Sequence, residues 1–129
     1  MTRKVISTSA APAAIGPYSQ AIISGPFVFA SGQIGLHPTT GALVSDDVAE
    51  QTRQVIANLI AVLESAGSSL QSVVKTTVFL TDLDHFGAMN AEYAKHFSDS
   101  PPARSTVVVA RLPKDALVEI EAVAALDTA

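Results

Sequence analysis

The chain has 129 residues, a formal net charge of −4 and no cysteine, so it is long enough for one sizeable core and too short for two. Hydrophobic residues make up 48% and charged residues 16%, a balance that favours folding over disorder and leaves few charges to cover a monomer's surface. Without cysteine there are no disulfides, thiolate metal sites or thiol nucleophiles, which mildly favours a reducing, cytoplasmic setting. The eight Lys and Arg are scattered without a basic run, so no nucleic acid is expected as partner. No apolar run approaches the ~20 residues of a membrane helix, so no membrane is expected either.

Residues 1–14 are basic and rich in Ser and Ala, with a faint likeness to a transit peptide. They read instead as part of the domain, because a strand-like stretch at 5–7 and a specific motif follow at once. Residues 18–23 and 27–31 predict two strands joined by the turn Ser24-Gly25-Pro26. The clearest helix is predicted over 46–66, where Val48, Thr52, Val55, Ile56, Leu59, Ile60 and Leu63 recur at the 3.6-residue period. Asp46 and Asp47 suit its start, and Gly67 suits the position just past its end.

Residues 76–80 predict a β-branched strand, followed by a helix from Thr81 or Asp82 to about Phe97. Its inner stripe is expected to be Leu83, Phe86, Asn90, Tyr93 and Phe97, and Pro101-Pro102 stops it. Strands over 106–110 and 117–126 close the chain around a turn at Pro113-Lys114-Asp115. The order β-β-β-α-β-α-β-β describes an α+β single domain over 1–129, with a mixed sheet and two helices packed on one face. Val107-Val108-Val109-Ala110 is apolar on both faces, as in a strand covered on both sides. Two helices cannot supply the second cover, so a neighbouring subunit is expected there.

A phosphate-binding loop, a nucleophile elbow and a dinucleotide fingerprint are all absent. His37, His85 and His96 lack metal-ligand spacing and read as surface residues, so no metal is expected. Four features remain. Arg104 heads a strand with Thr106 on its face, either a solvated edge arginine or a bidentate carboxylate clamp. Glu119 and Glu121 share one face of an apolar strand and need water or partners there. Asn90 interrupts an apolar helix stripe, as a structural amide or a site hydrogen-bonder. Gly16-Pro17-Tyr18-Ser19-Gln20 and Ser31-Gly32-Gln33 carry glycines that suit ordinary turns or close approach of backbone to a ligand.

Taken together, these segments resemble the reactive intermediate deaminases, the RidA or YjgF-like family. The resemblance is carried by residues 11–20 and 30–34, by Val74-Lys75-Thr76-Thr77-Val78-Phe79-Leu80-Thr81-Asp82-Leu83, and by Pro102-Ala103-Arg104-Ser105-Thr106-Val107 continuing through 110–122. It implies a chorismate-mutase-like fold and a homotrimer with active sites between subunits. It implies that Arg104 binds the substrate carboxylate, that Glu119 positions the hydrolytic water, and that Tyr18, Ser31, Gly32 and Asn90 line the pocket. Many members carry cysteine two residues after the arginine; here Thr106 stands there. The implied activity is cofactor-free hydrolysis of 2-iminopropanoate and 2-iminobutanoate to 2-keto acids and ammonia. Two rival readings are a non-catalytic module for small carboxylates and an RNA-acting or translation-inhibiting protein.

Overall fold

The computed structural model describes residues 3–127; the two residues at each end of the expected domain lie outside that range. The chain runs β1 (Arg3–Ile6), β2 (Ala21–Ser24), β3 (Phe27–Ile34), α1 (Val48–Ser65), β4 (Val73–Leu80), α2 (Phe86–Ala94), β5 (Ala103–Val108) and β6 (Val118–Ala125). This is the element order that the sequence predicts. The strands form one sheet in the order β1-β2-β3-β6-β4-β5. Only β4 and β5 pair in parallel, with α2 as their crossover; every other pair is antiparallel.

α1 starts where Asp47 accepts a hydrogen bond from the Glu50 backbone N–H at 2.9 Å. It ends before Gly67, whose φ of +83° is the left-handed conformation that glycine adopts freely. Between these caps, Val55, Ile56, Leu59, Val62 and Leu63 are fully buried against Val28, Val78, Val118 and Ile120 of the sheet. Loss of one such side chain to alanine costs about 2–5 kcal/mol in a well-packed core.

The second helix departs from its predicted stripe. Residues Leu83–His85 form a 3-10 turn, opened by Asp82 accepting from the Asp84 N–H at 2.8 Å, before α2 begins. That tighter turn takes Leu83 off the inner face, and it is 66% exposed. Met89, Tyr93 and Phe97 point inward instead, with Phe86 and Asn90 at the margin. The strand expected over 106–110 also shifts, whereas β6 matches its expected span to within a residue at each end. β5 begins at Ala103 and forms the outer edge of the sheet, and within the single chain Val107 and Val108 are 44% and 49% exposed.

Glu92 joins the two helices. Its carboxylate, 3% exposed, meets Arg53 of α1 at 3.1 Å, Lys95 at 3.2 Å and His96 at 2.9 Å. Burial alone would raise its pKa, but the hydrogen bonds from His96, Arg53 and Lys95 outweigh burial and hold it at about 2. The ionised form therefore favours the folded state. That contribution is complete above the ordinary value of 4.5 and is lost as the pH falls toward 2. Glu92→Gln should cost about 1–3 kcal/mol at neutral pH, and the difference from wild type in thermal unfolding should close in strong acid. A difference that persists there would assign the loss to packing rather than charge.

Candidate functional site

β6 alternates strictly: Val118, Ile120, Ala122 and Ala124 are buried beneath the helices. Glu119 and Glu121 therefore project to the other side of the sheet. Glu119 lies opposite Ile34 of β3 and Phe79 of β4. The β3 register shifts between Ala30 and Gln33, and Gly32 sits in that irregularity. A Cβ on Gly32 would collide with Oε2 of Glu119 and come within 2.8 Å of its Cδ. A side chain at this position would displace the Glu119 carboxylate from where it now stands.

The carboxylate borders a cavity of about 340 Å3, whose walls include Pro12, Ile15, Tyr18, Gly32, Leu36 and Lys114. No cation pairs with Glu119 among the described residues. Burial pushes its carboxyl above the ordinary value, and the neighbouring Glu121 charge adds to the shift. Such a group is a better proton acceptor than a solvated carboxylate.

Arg104 belongs to a second cluster. It lies opposite Thr76, and Thr76 lies opposite Ala122, so all three share the helix face of the sheet. Its guanidinium stands 4.7 Å from the Tyr93 ring centroid and 5.7 Å from that of Phe86. Tyr93 is itself fixed by a 2.7 Å hydrogen bond with Thr76. Asn90 shares the helical stripe of Phe86 and Tyr93, and Thr106 follows Arg104 two residues along its strand face. Arg104 makes no ion pair among the described residues, so its fork is open to an incoming anion.

The residues singled out from the sequence thus fall into two groups. Tyr18, Gly32 and Glu119 share the cavity. Ser31 is adjacent but faces the backbone, donating to the Ser19 carbonyl at 2.6 Å. Arg104, Asn90 and Thr106 lie on the opposite face of the sheet. Sequence reasoning missed Lys114 as a wall residue. The signal was the Pro113-Lys114-Asp115 turn, where Lys114 and Asp115 both have φ of +57° and the Lys114 ammonium donates to the Gly41 carbonyl at 3.2 Å.

Residues 8–126 match the family model described as Endoribonuclease L-PSP. The 2-iminobutanoate/2-iminopropanoate deaminase of Rattus norvegicus is 50% identical over 122 residues, covering 95% of this chain and 89% of that protein. The chain belongs to the RidA/YjgF-like family. A RutC family protein of Pyrococcus abyssi is 54% identical over 124 residues, 96% of this chain and 98% of its own. The crystal structure of Escherichia coli TdcF with bound serine superposes with a TM-score of 0.91 at 45% identity, covering 96% of this chain and 99% of that one. The α+β domain with its mixed sheet is thus shared across RidA-family structures.

The raised Glu119 pKa has a stability consequence for this RidA-family chain. A folded carboxyl that resists ionisation destabilises the native state once the pH exceeds the ordinary carboxylate value, and the cost levels off above the folded pKa. Glu119→Gln, which keeps the shape without the charge, should therefore melt at a higher temperature than wild type at pH 7. The two should coincide near pH 3. A lower melting temperature for the variant at pH 7 would contradict the burial of an unpaired charge.

Proposed function

We propose that this chain hydrolyses 2-imino acids, 2-iminopropanoate and 2-iminobutanoate among them, to 2-keto acids and ammonia. The observation that carries this reading is Glu119, a carboxylate with a raised pKa and no cationic partner beside a largely apolar cavity. Arg104 takes the substrate carboxylate in a bidentate contact. Glu119 orients water and accepts its proton as the oxygen attacks the iminium carbon. That proton passes from Glu119 to nitrogen, the hydroxyl gives its own proton to the freed carboxylate as the carbon–nitrogen bond breaks, and ammonia leaves behind a 2-keto acid. Water is the only co-reactant, and positioning with acid–base assistance suffices for so electrophilic a carbon. The names of the mammalian relatives support this chemistry. Among the described residues, Arg53 and Lys95 are engaged by Glu92 and Arg111 by Asp115, which weakens the rival reading as an RNA-acting protein.

In this reading one chain does not make a whole site. Arg104 and Glu119 lie on opposite faces of the sheet, so a substrate that touches both requires them from different copies. The face that carries Glu119 also leaves Phe27, Phe29, Val5 and Val107 uncovered, and Phe29 is 47% exposed. A patch of this kind marks an interface. The proposed assembly is the chorismate-mutase-like homotrimer, cytoplasmic and cofactor-free, with Tyr18, Gly32 and Glu119 of one copy facing Arg104, Asn90 and Thr106 of the next.

Light scattering should give about three times the chain mass. Ammonia release from threonine and a dehydratase provides the activity assay. Glu119→Gln should lower kcat by about 10²–10⁴-fold with little change in 2-oxo acid binding, and Arg104→Lys should lower kcat/KM roughly tenfold to a hundredfold. Glu121→Gln, which removes one cause of the raised pKa, should shift the acid limb of the rate profile downward and leave turnover intact. The decisive experiment is co-assembly. Unfolding and refolding Arg104→Ala together with Glu119→Gln should restore about a quarter of wild-type activity, because each mixed trimer holds one intact site. Two inactive variants that stay inactive after subunit exchange would place both residues in a single-chain site.

A further inference from the structure

Residues 12–19 form a strap that runs from the buried Ala11 to the buried Gln20, and residues 13–18 are exposed along their whole length. Space lies on both sides of it. Pro12, Ala13, Ile15 and Tyr18 wall the 340 Å3 cavity of Glu119, while Ala13, Ala14, Tyr18 and Ser19 wall a second cavity of about 430 Å3 against β1. Packing therefore does not fix the position of the strap. Its fixed points are hydrogen bonds at its two ends: the Gln20 side chain holds Pro12, and the Ser31 hydroxyl holds Ser19.

Gln20 is 4% exposed. Its Oε1 accepts from the Thr8 N–H at 2.7 Å. Its Nε2 donates to the Pro12 carbonyl at 2.7 Å and the Thr8 carbonyl at 3.1 Å, with the Ala11 carbonyl at 3.5 Å. The amide orientation follows from these partners, since only oxygen can accept from the Thr8 N–H. The far end of the strap is tied to the β3 irregularity by Ser31, through its N–H to the Gln20 carbonyl at 3.0 Å and its hydroxyl to the Ser19 carbonyl. Within the strap, the Tyr18 hydroxyl accepts from the Ile15 N–H at 3.2 Å, so the two wall residues move together.

We propose that Gln20 is a positioning residue for substrate binding: its amide holds Pro12, and through Pro12 the strap that carries the Ile15–Tyr18 wall above Glu119. This inference rests on the proposed deaminase reading of the Glu119 cavity. Glu119 is carried by β6 and is not bonded to the strap, so a displaced wall weakens binding more than it slows the attack of water.

Gln20→Glu is isosteric and still accepts from Thr8, but an ionised carboxylate faces the carbonyls of Pro12 and Thr8 instead of donating to them. Steady-state 2-iminobutanoate hydrolysis should show KM raised about tenfold, with kcat changed less than about threefold. Lowering the pH should narrow the KM ratio to wild type, because a protonated carboxyl donates to Pro12 again. Combined with Tyr18→Phe, the effects on KM should fall short of additive, since both act through one wall. Glu119→Gln run alongside separates the two levels of argument. If Glu119→Gln retains full activity, the deaminase reading fails. If Glu119→Gln is inactive while Gln20→Glu lowers thermal stability at unchanged KM, Gln20 is structural only and the inference is overturned. Should Gln20→Glu not fold, hydrogen exchange on the wild-type protein decides. The Thr8 amide should be protected without ligand, and saturating 2-oxobutanoate should slow the amides of residues 13–18. A Thr8 amide that exchanges as fast as the strap, or strap amides indifferent to the ligand, would equally overturn it.

Discussion

Side chains on a strand alternate between its two faces, and β6 has no freedom in this respect. Val118, Ile120, Ala122 and Ala124 must lie under α1 and α2 to close the core, so Glu119 is committed to the opposite surface. The pairings of β4 with β5 and β6 commit Arg104 to the helix side by the same logic. A one-residue slip of β6 would unite the two charged groups on one face and would also expel four core residues into water. Hydrophobic burial therefore dictates the separation of the acid from the arginine. Any reaction that uses both must recruit a second copy.

Much of this architecture was legible because the strongest local signals agree with the tertiary demand. The 3.6-residue stripe of α1, its aspartate cap and Gly67 all specify the same helix. The β6 alternation likewise announced an acidic face on an apolar strand. Misreadings arose where local pattern and context diverge. Leu83 fits the helical period of α2, but the Asp82 cap initiates a 3-10 turn first. The valines of β5 are apolar on both faces, and at the sheet edge the single chain leaves them exposed. Tyr18 reads as strand because it is aromatic and precedes an apolar run. Gly16 and Pro17 instead keep it in the strap, and β2 begins only at Ala21. Among the candidate site residues, the close approach of the Glu119 carboxylate to Gly32 is one that no spacing rule reveals, because it crosses two strands.

Two carboxylates illustrate how burial alone does not decide protonation. Glu92 is almost completely covered, but three donors surround it and its proton is held weakly. Glu119 is less covered, faces an apolar cavity and has another acid nearby, so it holds its proton more strongly. The first environment joins α1 to α2. The second costs stability, and in the proposed reaction it makes the carboxylate a stronger base.

The uncovered apolar face has a consequence for the single chain, before any assembly into the proposed homotrimer. β1 and β5 are the free edges of the sheet, and beside them lie Val5 and Val107, with Phe27 and Phe29 on the strands between. A newly completed monomer can finish its helix side alone, since that core is entirely intramolecular. It then carries two open strand edges beside exposed aromatic and branched side chains, the combination that promotes edge-to-edge aggregation. Self-association and misassociation therefore compete for the same surface. In the proposed homotrimer, rapid pairing between identical chains is the protective outcome, and dilute refolding prolongs the vulnerable interval.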